Sequence, residues 1–413
     1  MILRISLFIL FVILIDFYAF QSFRTLTKNR FILIAYWLIS IGIYLNMFYQ
    51  ASRMTSSNAV NQTAMLSMGL FILLSAPKII IATTMLGEDL FRVIKLFFNS
   101  LNGSSELPSR RAFISKIALG LAAIPFASII YGMQRGKYNY QVVKHDLFFD
   151  DLPTAFDGYK ITHISDIHSG SFDNAEKVAH GIDLINNQNA DIISFTGDLV
   201  NKTTAEVIPW IPYFKKLKAK DGLYSVLGNH DYGDYAHWNS PEEKQQDLEE
   251  MKKAHKEIGF DLLLNEHRIL QKGNQKIALI GVENWGTKFK KAGDLNKASL
   301  GVEESDFKVL MSHDPSHWNE QVKKHKHNYH LTLSGHTHGM QFGIEIPGIK
   351  WSPVKYVYKQ WAGIYKEFNR YINVNRGFGY IAFPGRVGIW PEITVITLKK
   401  GSAENLSNKE VVS

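Results

Sequence analysis

Cysteine is absent from all 413 residues, which excludes disulfides and thiolate metal ligands. The compartment stays open, because a cysteine-free domain tolerates oxidising and reducing surroundings alike. Histidine is missing from the first third: all 15 lie at or beyond His145, so any imidazole chemistry belongs to the remainder of the chain. That first third is also poor in charge, whereas the rest is polar. No RNA- or DNA-binding motif with interleaved aromatics occurs. The net charge of +8 therefore reads as membrane-flanking cations plus lysines on a solvated surface, and no nucleic-acid partner is expected. The length exceeds that of a usual single domain. It predicts a transmembrane region over 1–135, a polar α/β domain over 136–400 and a disordered tail over 401–413.

Four apolar stretches, 5–23, 31–50, 64–86 and 117–131, come near the ~20 residues a spanning helix needs, the fourth being the shortest. The first connection carries Arg24, Lys28 and Arg30, and the third carries Arg92, Lys95, Arg110, Arg111 and Lys116, while the second offers only Arg53. The positive-inside bias puts the first and third in the cytoplasm, so everything from Arg135 onward is expected outside, anchored in a bacterial cytoplasmic membrane. Ser109-Arg110-Arg111-Ala112-Phe113-Ile114 resembles a twin-arginine export signal, and equally suits ordinary cytoplasmic anchoring. Asp16 and Lys78 fall inside apolar stretches, where an ion pair between helices is a better reading than a transport path. Residues 88–98 predict a short amphipathic helix on the cytoplasmic surface, with Leu90, Phe91, Ile94, Phe97 and Phe98 as its apolar face.

The polar domain repeats one plan: an apolar run halts at a few polar residues. Residues 160–170 read Lys-Ile-Thr-His-Ile-Ser-Asp-Ile-His-Ser-Gly, delivering Asp166 and His168. Runs at 191–196, 222–227, 307–311 and 330–333 deliver Gly197-Asp198, then Gly228-Asn229-His230-Asp231, then Ser312-His313, and finally Gly335-His336-Thr337-His338-Gly339. A helix over 173–189, with an aspartate at its N-cap, and another from about 241 to 257 alternate with the first runs, which argues for an α/β sandwich. Ligands at the carboxyl ends of strands gather along one edge of the sheet. The set Asp166, His168, Asp198, Asn229, His230, His313, His336 and His338 is a mixed N/O site, suited to Mn, Fe or Zn rather than Mg alone. A lone Asp-x-His would be weak evidence; five such strand ends in one chain are not. His325, His327 and His330, in a lysine-rich run, read as a solvated segment. Trp351, Tyr356, Tyr358 and Trp361 suit a substrate groove, a membrane surface or core packing equally.

With Asp166-Ile-His168, Gly197-Asp198, Gly228-Asn229-His230-Asp231, Ser312-His313 and Gly335-His336-Thr337-His338, the chain resembles the calcineurin-like metallophosphoesterases over about 147–398. It looks closest to their membrane-anchored, twin-arginine-exported bacterial branch, through Asp157-Gly158-Tyr159-Lys160-Ile161 and Pro391-Glu392-Ile393. The resemblance implies a four-layer αββα sandwich and two divalent metal ions, Mn, Fe or Zn. Asp166, His168 and His338 would hold one ion, Asn229, His313 and His336 the other, and Asp198 would bridge them. Such a pair, about 3.5–4 Å apart, clamps phosphoryl oxygens during in-line attack. His230 would stabilise the leaving oxygen, with Asp231 orienting its imidazole. The expected substrate is a phosphate ester. A lipid-linked phosphate or pyrophosphate is the alternative, and a metal-binding sensor or scaffold is the non-enzymatic one.

Overall fold

The structure is a computed structural model, and it describes residues 2–54, 62–101 and 110–402. The chain divides into two compact units, one of four N-terminal helices ending at Gln134 and one beginning at Arg135. Ser109 of the arginine segment and residues 403–413 of the expected tail lie outside the described residues.

The helices are α1 (Ile2–Leu26), α2 (Arg30–Met54), α3 (Gln62–Leu101) and α4 (Arg111–Gln134). All four are long and apolar enough to cross a membrane. The fourth begins at the arginine pair, so it is no shorter than an ordinary span. Correspondingly, the predicted amphipathic helix over 88–98 is not a separate element: α3 runs for 40 residues through Pro77 and Gly87 without a break. Neither residue interrupts it: proline costs about 3 and glycine about 1 kcal/mol inside a helix, but ending the helix in an apolar medium would leave more backbone groups unbonded. Asp16 and Lys78 form a direct, buried ion pair joining α1 to α3. Ser40 accepts from the Lys78 ammonium at 2.7 Å, and Tyr36 and Tyr44 of α2 donate to the Asp16 carboxylate, so three helices share one polar knot. Arg111 pairs with Asp89 at 2.9 Å, and Arg110 lies over the Phe91 ring.

The second unit contains strands β1 (Gln141–Phe149), β2 (Lys160–Ile164), β3 (Ile192–Phe195), β4 (Leu223–Ser225), β5 (Phe260–Leu262), β6 (Glu266–Lys272) and β7 (Gln275–Gly281). They continue as β8 (Phe307–Met311), β9 (Leu331–Ser334), β10 (Ile344–Ile346), β11 (Ile349–Trp351), β12 (Gly363–Glu367), β13 (Arg370–Val374) and β14 (Glu392–Lys400). One sheet has the order β1-β14-β2-β3-β4-β5, the other β12-β13-β9-β8-β7-β6, and β10 with β11 forms a separate hairpin. Strands β2 to β5 are mutually parallel, as are β7, β8, β9 and β13. Parallel strands share one carboxyl edge, which is why successive strand ends converge.

The two sheets face each other across a core that includes Ile161, Ile192, Ile277, Val309, Leu331 and Ile396. Alternate residues on β7 and β8, Ala278, Ile280 and Leu310, face the other way, onto Leu295, Ala298 and Trp318. Helices α5 (Ala175–Asn186), α6 (Ile211–Phe214) and α7 (Pro241–Ile258) belong to the outer layer of the first sheet, where the α7 residue His255 stacks on Phe195 and Phe260. The short helices α8 (Leu295–Ala298) and α9 (Ser316–Glu320) serve the second. The result is the four-layer αββα sandwich.

Two local expectations need correction, and Trp361 takes one of the places left open to it. The cap of α5 is Asn174, whose side chain accepts from the Lys177 N–H at 3.0 Å; Asp173 instead binds Lys137 and Tyr138. His330 is buried, not solvated: it takes the Lys308 N–H on Nδ1 and meets Asp151 through Nε2. Trp361 is a core residue beside Val354, Ala362 and Ile389.

Candidate metal centre

Each strand of the site stops where its side chains turn from the core to the common edge. β2 gives way to Asp166 and His168, β3 to Asp198, β4 to Asn229, β8 to His313 and β9 to His336 and His338. Asp166, His168, Asp198, His336 and His338 all adopt positive φ, between 48° and 70°. Non-glycine residues pay strain there, so five such residues in one site mark backbone bent to aim side chains. Two glycines make room. A Cβ on Gly335 would lie 1.9 Å from Ser165 Oγ and 2.2 Å from Asp166 Oδ2, and one on Gly228 would lie 2.2 Å from Asp198 Oδ1.

Donor atoms of Asp166, His168 and His338 gather within 4.8 Å of one another, and so do those of Asp198, His313 and His336. Asn229 joins the second group, its Oδ1 being 2.8 Å from His336 Nδ1 and 3.2 Å from His313 Nε2. Asp198 stands between the groups: Oδ2 is 3.6 Å from His168 Nε2 and 3.2 Å from His313 Nε2.

The hydrogen bonds around the rim decide what these atoms offer. His168 Nδ1 faces the Val200 carbonyl and His313 Nδ1 the Thr196 carbonyl, at 3.1 and 2.8 Å, so each ring turns Nε2 inward; against its burial, Asp198 and Asp166 push His313 up to about 10, so that ring holds a proton where a cation would otherwise sit. The Asn229 amide donates to Tyr235, which leaves its oxygen inward as well. The His336 Nε2 meets Tyr358 Oη at 2.9 Å, turning Nδ1 into the cluster. Ring nitrogens, carboxylates and an amide oxygen thus converge at 2.8–3.6 Å. Buried acceptors facing acceptors are unfavourable unless a cation lies between them, so the set fits divalent ions. The electrostatics agree. Burial opposes a charged Asp166, and His338 and His313 outweigh it, holding its carboxyl well below the usual range. Asp198 is likewise held low against burial by His313 and His230. Burial keeps His168 and His336 neutral, the form that ligates.

Residues 2–137 match the family described as "Probable Calcineurin-like phosphoesterase, transmembrane domain", and residues 159–340 match "Calcineurin-like phosphoesterase". The metallophosphoesterase YkuE of Bacillus subtilis is 31% identical over 298 residues, covering 70% of this chain and 98% of that one. The chain belongs to the calcineurin-like metallophosphoesterases. This membrane phosphoesterase is also 26% identical to a zebrafish transmembrane protein with metallophosphoesterase domain, over 75% of its own length and 71% of that protein's. The phosphodiesterase YaeI of Escherichia coli is 24% identical over 70% of the phosphoesterase and 99% of YaeI.

The pairing expected between Asp231 and His230 is not formed. Asp231 is fully buried and its carboxylate accepts the backbone N–H groups of Asp198, Leu199 and Gly228 at 2.7–2.9 Å, so it shapes the Asp198 turn. His230 Nδ1 meets the Asn201 carbonyl at 2.6 Å instead, while its N–H donates to Asp198 Oδ1 at 2.8 Å and its ring lies against Tyr235. Burial and the Asp198 charge push the Asp231 carboxyl up to about 7.

Several residues of the phosphoesterase site escaped the sequence reading. The Asn201 backbone is held by Glu206, which accepts its N–H at 2.6 Å and that of Lys202 at 3.1 Å. Burial pushes the Glu206 carboxyl up to about 7. Arg386, fully buried, ties the carbonyls of Arg376, Gly377 and Gly379 together behind His338. Gly379 in turn donates to the Asp166 carbonyl at 2.8 Å, so the loop over 376–379 backs the site. Tyr358 is the one aromatic of the four singled out above that touches a ligand residue.

Proposed function

We propose that the phosphoesterase acts through a dinuclear centre in which Asp166, His168 and His338 hold one divalent ion, Asn229, His313 and His336 the other, and Asp198 bridges both. The convergence of imidazole nitrogens, carboxylates and an amide oxygen from five strand ends on one small buried space carries this reading. The donor palette suits Mn, Fe or Zn, and the ions would supply charge neutralisation for the phosphoryl group. The protein's own part is positioning. Hydrogen bonds to Val200, Thr196, Tyr235 and Tyr358 fix each ring and amide before a substrate arrives. His230 presents Nε2 to the substrate because the Asn201 carbonyl engages Nδ1, and it serves the leaving oxygen as a proton donor or hydrogen-bond partner.

Purified protein assayed on nitrophenyl mono- and diesters, with metal content measured alongside, tests the assignment. Asp198→Ala should lose metal and rate together, whereas His230→Ala should keep metal and lose about 10²–10⁴-fold in rate. Metal-loaded wild type that hydrolyses neither ester would overturn the enzyme in favour of a sensor or scaffold.

Four spanning helices support a lipid-linked phosphate ester as the finer substrate reading. They, with the cations flanking α1, α2 and α4, support a bacterial cytoplasmic membrane and an extracytoplasmic catalytic unit. A reporter fused after the last residue should be active outside; cytoplasmic activity would reverse the orientation. Lysine at both Arg110 and Arg111 keeps anchoring charge, so loss of outside activity in that variant would favour the export signal.

A further inference from the structure

The β10–β11 hairpin gathers its apolar side chains on one exposed face. Its register pairs Ile344 with Trp351 and Ile346 with Ile349, and with side chains alternating along each strand these four share one face. Glu345 and Lys350, also paired, share the other. A hairpin on a water-soluble surface turns its polar face out. Here every residue of the hairpin is exposed, and the polar pair ties it to the body: Glu345 pairs with Arg376, which also binds buried Glu392, and the Lys350 ammonium donates to the Ala362 carbonyl at 2.6 Å and lies over the Trp361 ring. The apolar face is turned out, with Ile344 50%, Ile346 56%, Ile349 52% and Trp351 37% exposed. The next segment extends the patch, Tyr356 being 76% and Val357 56% exposed, with the exposed cations Lys355 and Lys359 beside them.

We propose that this face docks on the lipid surface of the membrane that α1–α4 span. A patch of aliphatic side chains edged by Trp, Tyr and Lys matches the interface between acyl chains and anionic headgroups, where indole, phenol and ammonium groups each find a polar partner. Only six residues separate the end of α4 at Gln134 from the start of β1 at Gln141, and three of them, Gly136–Tyr138, form a buried turn, so the catalytic unit is permanently anchored beside lipid. A second copy fits less well, because an eight-residue hairpin falls far short of the roughly 20 residues a side that a stable protein interface uses. The hairpin is also spliced to the metal centre: it follows the His338–Gln341 turn, Ser352 donates to the Gly339 carbonyl at 2.7 Å, and Tyr358 reaches His336. Docking would therefore engage a segment that is bonded directly to the residues around His336 and His338.

The cysteine-free chain makes the test direct. Full-length Ile346→Cys and Ile349→Cys, and Glu257→Cys on the exposed surface of α7 as a control, are labelled with an environment-sensitive dye. Each is reconstituted into phosphatidylethanolamine–phosphatidylglycerol vesicles with and without brominated acyl chains. Dyes at 346 and 349 should shift to the blue and be quenched by bromolipid, as expected about 5–10 Å into the interface, while the dye at 257 does neither. Water-like emission at both hairpin positions overturns the proposal. So does a blue shift that bromolipid leaves unquenched and that grows with the protein-to-lipid ratio, which assigns the face to a second copy.

Discussion

Tyr358 shows how much a side chain outside the ligand set can control. Its hydroxyl sits 2.9 Å from His336 Nε2 and reaches Asp314, so it selects which nitrogen of that ring faces the centre. Burial pushes this phenol above its ordinary range, with Asp314 beside it, so it stays a neutral hydrogen-bonding group. Tyr358→Phe should lower metal affinity or turnover by about 10–100-fold with the fold intact, measured by metal titration alongside circular dichroism. The ligand candidates were legible because each ends an apolar run. Tyr358 was legible only as one of four aromatics with several readings, and Asn201 and Glu206 not at all: they reach the centre from loops, Asn201 through a backbone carbonyl, and a carbonyl carries no sequence signature. The exchange of Asp231's role has the same origin, since adjacency in sequence says nothing about whether a carboxylate faces its neighbour's ring or the N–H groups of another strand's turn.

At the scale of elements, two buried charges do different work. Arg386 clamps a loop, and its planar fork reaches several carbonyls that a lysine ammonium cannot span together. Arg386→Lys should destabilise the catalytic unit by about 2–4 kcal/mol, read as a lower denaturation midpoint, with bound metal protecting less than in wild type. The Asp16–Lys78 pair joins helices. Asp16→Ala alone leaves a buried ammonium uncompensated and should cost about 3–5 kcal/mol, whereas Asp16→Ala with Lys78→Met should cost markedly less; thermal unfolding of both proteins in detergent distinguishes them. The ion pair and all four spans were legible because charge is conspicuous in an apolar run. The β10–β11 hairpin and β5 were missed, since three-residue strands are too short to show a period, and α3 was cut short because its polar continuation looked like a different helix.

For the molecule as a whole, acid is the expected weakness of the catalytic unit. His255 and His317 are buried and neutral, burial pushing them down to about 3 and about 4. An unfolded histidine takes its proton near 6.5, so the unfolded chain binds more protons below that pH. Stability is then complete above about 6.5 and falls as pH drops toward 4, by up to about 1.4 kcal/mol per pH unit for each such ring. His255→Phe should flatten that slope by roughly one proton, followed by unfolding at several pH values. The division into an apolar unit and an αββα unit was legible from composition and from the strand-end motifs.

The knot around Asp16 also has a consequence for how the protein is made. Asp16 emerges from the ribosome 62 residues ahead of Lys78. Over that interval α1 carries a lone carboxylate whose insertion costs about 2.5–3.5 kcal/mol at the centre of a span. The first helix therefore gains from lingering beside the insertion machinery until the third arrives, so that release into lipid is a joint event and the order of synthesis is not the order of assembly.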